Sequence, residues 1–361
     1  MTQALSTTAS AAIGGRPEGS MLAARIHAYK QPLVIDEVPR PVAGPGQILV
    51  RVAGAGFCHS DLHILDGEIP ILPRLPLILG HENAGYVAEI GAGVTSVAVG
   101  QPVVVFGGWG CGHCDYCVTG IEQLCATPGW AGLSANDGGY AEYILVPAER
   151  HLVPLARLDP AVAAPLTDAA LTPYRAIRKA MPFLEPDHKA LVIGVGGLGQ
   201  YGIKLLRILT GLEVIAVDVS EEKLLLAEEY GAAYTVNATD GQGAEQVRKI
   251  APAGVAVAFD FVGSDATLAL ALAATRSLGK VTQIGLAGGE ARMRVLQTNP
   301  WEVLFETTIW GTIKELREVV ALAESGRLTL IDTEFVPLAE ITEVPARLKR
   351  GEARGRIVIT P

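Results

Sequence analysis

Four of this chain's five cysteines lie within fifteen residues, as Cys111-Gly-His-Cys114-Asp-Tyr-Cys117 followed by Cys125. Thiolates separated by two residues reach one tetrahedral ion from a tight turn, and four of them close its shell. A lobe held in that way is structural. The fifth cysteine opens a separate run, Cys58-His59-Ser60-Asp61-Leu62-His63, with Gly80-His81-Glu82 further on. One thiolate mixed with imidazole and carboxylates suits a zinc ion that keeps a position open for chemistry. The spacing predicts one closed zinc site and one working zinc site.

Two other uses of such a lobe compete with this reading. A nucleic-acid-binding zinc module needs a basic surface, but this chain carries a net charge of −9 and no Lys/Arg run around its cysteine lobe. The same acidity disfavours an anionic membrane partner. A redox dithiol fits four thiols at closed-site spacing less well than a structural ion does. His113, between the ligands, reads as solvent-facing. Cysteines in metal-type spacing, without an even disulfide ladder, suit a reducing cytoplasm.

With 361 residues, 49% hydrophobic and 19% charged, the chain suits two well-buried domains. No apolar run approaches the roughly 18 residues of a bilayer span. Residues 1–20 are rich in Ala, Ser, Thr and Gly, lack the apolar block of a signal peptide and read as a loose extension. Strand-like runs at 48–53, 84–90 and 102–106, separated by turn signals such as Pro45-Gly46, predict a β-rich first domain. Residues 165–180 look helical. Beyond them apolar strands (190–194, 214–218, 255–260, 280–285) alternate with helical stretches (221–230, 266–278), the rhythm of a parallel, doubly wound sheet. A helix over 313–325 and a strand over 355–359 are expected to return to the first domain.

Gly194-Val-Gly196-Gly197-Leu198-Gly199 directly follows the strand that begins at Ala190 and precedes an amphipathic stretch over 200–209. A bare GxGxxG run is a weak sign. Strand before and helix after make it a dinucleotide loop, whose glycines let backbone N–H groups and a helix N-terminus approach a pyrophosphate. Asp218 ends the next strand, nineteen residues past Gly199. A carboxylate there accepts from ribose hydroxyls and repels a 2′-phosphate; a simple turn Asp is the other reading. Lys223 is nearby, but no arginine directly follows Asp218, which favours NAD over NADP.

The chain resembles the zinc-dependent medium-chain alcohol dehydrogenases over nearly all of residues 21–361. The likeness rests on Cys58-His-Ser-Asp, Gly80-His-Glu, the four-cysteine lobe, the glycine loop with its Asp, and the terminal Arg356-Ile-Val-Ile. It is greatest to bacterial secondary-alcohol dehydrogenases, through Ala164-Pro-Leu-Thr-Asp-Ala-Ala-Leu-Thr-Pro-Tyr. The resemblance implies an α/β protein: a GroES-like β-rich catalytic domain (21–165 and 311–361) and a Rossmann domain with a doubly wound parallel sheet (166–310). The active cleft lies between them. It also implies two Zn2+ per chain, NAD, a small-molecule alcohol or ketone substrate, a homodimer or homotetramer, and no nucleic-acid or membrane partner.

By the same resemblance Cys58 and His81 are ligands of the catalytic zinc. Asp168 stands where many relatives have a third, cysteine ligand; a cap of the following helix is the other reading. Glu82 counts with them as a catalytic-zinc residue, sitting behind the metal where family members exchange it with substrate or water, and Asp61 holds His81 in its tautomer. Ser60 takes the alcohol proton, and His63 relays it by way of the nicotinamide ribose; an ordinary loop histidine is the alternative. His59 and Arg356 face the pyrophosphate, Thr172 packs on the nicotinamide, and Gly194, Gly196, Gly197, Leu198, Gly199, Asp218, Lys223 and Val262 complete the cofactor site. Cys111, Cys114, Cys117 and Cys125 hold the structural zinc. Gln101 departs from the family, which usually has an acidic residue there.

The expected reaction is oxidation of an alcohol to a ketone or aldehyde, and its reverse. Trp109 and Trp310, as pocket walls, would suit a medium-sized hydrophobic secondary alcohol; core packing explains either Trp equally well. A primary, aryl or allylic alcohol is the runner-up, and a sugar alcohol fits less well. A non-catalytic nucleotide-binding protein of this fold would be marked by loss of Cys58, His81 or Ser60, and all three are present.

Overall fold

The computed structural model describes residues 19–293 and 300–361; the expected extension, apart from Gly19 and Ser20, lies outside them. Eight strands come first: β1 (Ser20–Ile26), β2 (Val34–Pro39), β3 (Ile48–Phe57), β4 (Leu77–Ile78), β5 (Glu82–Ile90), β6 (Pro102–Val105), β7 (Tyr143–Val146) and β8 (Leu152–Pro154). Six more follow: β9 (Lys189–Ile193), β10 (Glu213–Asp218), β11 (Tyr234–Asn237), β12 (Val255–Asp260), β13 (Thr275–Gln283) and β14 (Leu304–Thr307). The chain closes with β15 (Thr333–Pro337) and β16 (Arg356–Thr360).

Strands β9–β14 form one wholly parallel sheet in the order β11-β10-β9-β12-β13-β14. All six residues of β12 are buried, as a strand covered by helices on both faces requires. The order reverses between β9 and β12, which opens a crevice at their carboxyl ends. The β-rich part holds a three-stranded sheet, β2-β1-β4, and a seven-stranded one, β15-β16-β3-β5-β6-β8, with β7 also on β3. The C-terminal β16 therefore returns to the first sheet, antiparallel to β3, and carries Arg356 there. One apolar core runs from Ala84 and Phe106 through Ala164 and Leu171 to Val192 and Ala216, so the two sheets are packed together through residues 164–180.

Two expected elements are corrected. The helix over 165–180 is broken: a 3-10 turn spans Ala164–Thr167, and the α-helix begins only at Leu171. Asp168 between them has φ −141°, because its side chain is drawn into the site described below. The helix over 266–278 ends at Ala274. There Thr275 Oγ1 donates to the Ala271 carbonyl at 2.7 Å, and extended backbone lets Thr275 join β12 opposite Val255. Strands β11, β14 and β15 and the helices Gly243–Ile250 and Val344–Lys349 were not expected. Gln101 has a plain role: its side-chain oxygen accepts the Ala98 N–H at 3.0 Å, closing the turn as a carboxylate would. Among the described residues no helix is long and apolar enough to cross a membrane.

Candidate active site

The four clustered cysteines converge from a turn and a single helical turn, Asp115–Val118. Cys114 Sγ lies 3.5 Å from Cys117 Sγ and 3.8 Å from Cys125 Sγ, and Cys111 Sγ lies 3.9 Å from Cys117 Sγ. A tetrahedron of Zn–S bonds of about 2.3 Å has edges of about 3.8 Å, so the sulfurs fit a zinc ion. All five cysteines are free of disulfides. Gly110 is required, since a Cβ there would stand 2.4 Å from Cys117 Sγ. Burial works against ionising Cys125, but the N–H groups of Cys111 and Thr127, 3.3 and 3.4 Å from its sulfur, outweigh it and lower its pKa to about 6. His113 is exposed, as expected.

Beneath the lobe sits Glu122, which sequence reading missed. Its carboxylate accepts from the Gly110 N–H (3.1 Å), Arg150 Nε (3.0 Å) and the buried His151 Nε2 (3.0 Å).

The second cluster gathers Cys58, His81, Glu82 and Asp168, each with one donor atom within 4.8 Å of the others. Cys58 follows β3 at the N-cap of the helix His59–Leu65, His81 immediately precedes β5 and Glu82 opens it, and Asp168 comes from the break before the helix Leu171–Ala180. Asp168 Oδ2 lies 3.7 Å from Cys58 Sγ and 3.6 Å from His81 Nε2. Mixed Zn–S, Zn–N and Zn–O bonds of about 2.0–2.3 Å give edges of about 3.4–3.6 Å, so this set also fits zinc.

His81 is oriented from behind. Asp61 Oδ1 lies 3.5 Å from His81 Nδ1, which directs Nε2 at the cluster. Asp61 Oδ2 accepts from the Cys58 N–H (3.0 Å) and from the Tyr140 hydroxyl (2.7 Å). Burial alone would depress His81, but Asp61, Asp168 and Cys58 overcome it and raise its pKa well above the ordinary value. Burial likewise opposes the Cys58 thiolate, and Arg356 and His81 reverse it. A buried thiolate, imidazole and carboxylate gathered in this way suit a metal cation.

Glu82 is fully buried and forked onto the buried Arg356, with Nε to Oε2 at 3.0 Å and a second bond from Nη2 to Oε1. Gly56 makes room for it, because a Cβ there would lie 2.0 Å from Glu82 Oε2. Arg356 also reaches the glycine loop: its Nη1 would be 3.1 Å from a Cβ on Gly197. One guanidinium thus joins the back of the metal cluster to the nucleotide loop.

The loop glycines have three separate physical reasons. Gly194 needs its φ of +86° and faces Val262, whose Cγ2 would be 2.6 Å from a Cβ. Gly199 lets the helix Gly197–Thr210 close on the strand, with the Gly194 oxygen 1.9 Å from where a Cβ would stand. Gly196 faces open space, with nothing within 4 Å of a Cβ, and is the face a pyrophosphate could approach. Leu198 packs on the shared core. Asp218 Oδ2 accepts the Val195 N–H at 2.7 Å, and Oδ1 accepts from Val219 and Ser220. His59 lies at the mouth with its outer edge in solvent. Surrounding protein and the charges of Arg356, Lys223 and His63 hold its imidazole down at about 4.

Ser60 Oγ is 3.4 Å from His81 Nε2, and Ser60 is half-buried. His63, four residues along the helix His59–Leu65, bonds through Nδ1 to Glu68. Thr172 is buried, and its hydroxyl is committed to Asp168 Oδ1 at 2.6 Å.

Of the two tryptophans, Trp310 borders the site. Its ring meets His81 edge-on with centroids 5.7 Å apart, and its Nε1 donates to the Thr167 carbonyl at 2.9 Å. Trp109 instead packs into the β-domain core against His151, at 6.0 Å. Two further aromatics pack on Trp310, Trp130 edge-on at 6.0 Å and Phe106 at 6.3 Å, and sequence reading missed both.

Comparison with known proteins adds to this geometry. Residues 44–157 match the alcohol dehydrogenase GroES-like domain, and residues 197–325 match the zinc-binding dehydrogenase family. An NAD-dependent alcohol dehydrogenase of Sulfolobus acidocaldarius is 37% identical over 94% of this chain and 99% of its own length. A D-arabinose 1-dehydrogenase (NADP(+)) of Saccharolobus solfataricus is 34% identical over 94% of this chain and 97% of its own. The crystal structure of the alcohol dehydrogenase from Aeropyrum pernix superimposes with a TM-score of 0.87 at 39% identity, covering 94% of this chain and all of that one. With both zinc-type clusters assembled and both halves matched, the chain belongs to the zinc-binding dehydrogenases with a GroES-like alcohol dehydrogenase domain.

Proposed function

We propose that the protein is an NAD- and zinc-dependent alcohol dehydrogenase acting on medium-sized hydrophobic secondary alcohols. The observation that carries the proposal is the buried Cys58–His81–Asp168 cluster, whose 3.6 and 3.7 Å edges match a three-ligand zinc shell. Cys58, His81 and Asp168 would hold a zinc ion that would supply Lewis acidity to the substrate oxygen, and the glycine loop would hold the nucleotide whose nicotinamide would take up the hydride. Ser60, beside His81 Nε2, takes the hydroxyl proton, and His63 hands it outward. Glu82 stays back, held by Arg356. His59, Arg356 and Lys223 offer positive charge to the pyrophosphate, Asp218 favours an unphosphorylated ribose, and Thr172 and Val262 border the nicotinamide. Cys111, Cys114, Cys117 and Cys125 hold a second, structural zinc.

The aromatic walls Trp310 and Trp130 support an apolar substrate. The D-arabinose relative is the reason to test polyols as well. Domain limits of residues 21–165 with 311–361 and residues 166–310 are supported by the separate seven-stranded and six-stranded sheets. A homodimer or homotetramer is supported by the edge strand β14, flanked by exposed Leu278, Trp301 and Leu304; a cytoplasmic setting suits the free cysteines. The test is a panel of secondary, primary and aryl alcohols and polyols, assayed for NADH formation before and after a chelator. Chelator-sensitive turnover highest with secondary alcohols is expected. Full turnover in zinc-free protein, or preference for a sugar, overturns the respective part.

A further inference from the structure

An alcohol oxidation releases one proton per hydride, and that proton must reach water. The carboxylates nearest the cluster offer no exit. Asp61 is fully buried and engaged by Cys58, Tyr140 and His81, and Glu82 is buried under Arg356. Glu68 is placed differently. Its Oε2 lies 2.6 Å from His63 Nδ1, and the two side chains are 61% and 22% exposed, so the pair spans the step from cleft to solvent.

The contact is built by the chain rather than by chance. After the helix His59–Leu65 the backbone reverses at Gly67, with φ +70°, and the His63 carbonyl accepts the N–H groups of Glu68 (2.9 Å) and Ile69 (3.2 Å). The neighbouring Asp66 is tied to Lys349 at 2.6 Å. This turn leaves Glu68 one face of the imidazole to hold.

We propose that Glu68 is a positioning residue for the proton path: it fixes the tautomer of His63 and takes the proton from it to bulk water. With Nδ1–H donating to Glu68, Nε2 keeps its lone pair turned inward. When a proton from the alcohol reaches Nε2, the Nδ1 proton passes to Glu68 Oε2 and then to solvent, and the neutral ring flips to bring its remaining N–H back to Glu68 before the next turnover. One proton enters and one leaves, while the hydride and its electron pair go to NAD. The inference rests on the relay read above for His63.

The test uses the zinc-loaded enzyme with 1-phenylethanol and cyclohexanol as probes. Proton release is followed by an indicator dye in single turnovers, alongside NADH absorbance. In weak buffer Glu68→Gln slows proton release roughly tenfold, less than the ~10²–10⁴ of a group acting directly on the reacting atoms. Raising the imidazole buffer concentration restores it, and Glu68→Asp retains most of the rate. Combining Glu68→Gln with His63→Gln adds no further loss, because the two act in series. Wild-type proton release by Glu68→Gln in weak buffer, a loss that buffer does not repair, or additive losses would each overturn the proposal. A His63→Gln enzyme at the full rate overturns the relay beneath it, and a protein that oxidises no panel alcohol overturns the function; both outcomes are distinct from a Glu68 failure.

Discussion

Thr172 Oγ1 donates to Asp168 Oδ1 at 2.6 Å, which leaves Oδ2 as the oxygen turned to Cys58 Sγ and His81 Nε2. The hydroxyl therefore holds Oδ1 aside and keeps Oδ2 aimed at the cluster. Outer partners of this kind tune metal affinity by about 10–100-fold. Thr172→Val should lose zinc to a competing chelator about tenfold more readily, and Thr172→Ser should not. Asp168→Ala should retain one zinc per chain; two retained by metal analysis would remove Asp168 from the shell.

The Glu82–Arg356 fork is buried on both sides, so removing one partner strands a charge in a dry site. Arg356→Ala should cost about 3–5 kcal/mol in denaturant unfolding. Arg356→Lys should recover only part of it, because an ammonium cannot match the two-pronged geometry. Replacing both residues together should cost less than Arg356→Ala alone. A double variant as unstable as the sum of the singles would show that the fork is not a unit.

Much of this was legible before the structure, for definable reasons. The parallel sheet declared itself through runs such as 255–259, apolar on every residue, and the zinc clusters through spacing that few other chemistries need. The break at Asp168 was legible only as the alternative of a helix cap, since nothing within 165–180 reveals the long-range contacts to Cys58 and His81 that turn the carboxylate into the cluster. Tyr140, Glu122 and Trp130 were hidden for the same reason: each reaches its partner across tens of residues and sits in no motif. Trp109 and Trp310 look alike in sequence, and only burial against different neighbours separates the core residue from the one beside His81.

The glycine loop allows a separation of folding from binding. At Gly199 a Cβ would overlap the Gly194 oxygen, so Gly199→Ala should destabilise the protein by several kcal/mol, of order 4. At Gly196 a Cβ would meet nothing, so Gly196→Ala should stay within about 1 kcal/mol of the parent. The same methyl stands on the face open to the pyrophosphate, and NAD affinity should fall at least about tenfold, or 1.4 kcal/mol. Calorimetric titration of NAD into Gly196→Ala that gave the parent affinity would move the phosphate site elsewhere.

Glu122 supplies a pH-dependent brace for the cysteine lobe. Burial would raise its pKa, yet His151, Arg150 and the Gly110 N–H bring it down to about 2. Burial lowers the pKa of His151 as well, so at neutral pH the imidazole is a neutral donor and Arg150 is the charged partner. A carboxylate depressed on folding stabilises above its unfolded value of about 4.5 and loses that contribution as pH falls towards 2. Glu122→Gln should therefore melt lower than the parent at pH 7, by a difference worth about 2 kcal/mol. The gap should narrow steadily below pH ~4.5 as the parent's own carboxylate takes up its proton. Acid release of zinc from the thiolates occurs in both proteins and cancels from the difference. A gap that widened in acid would mean that Glu122 is held protonated in the folded state, and the lobe would have to be braced by Arg150 and His151 through other groups.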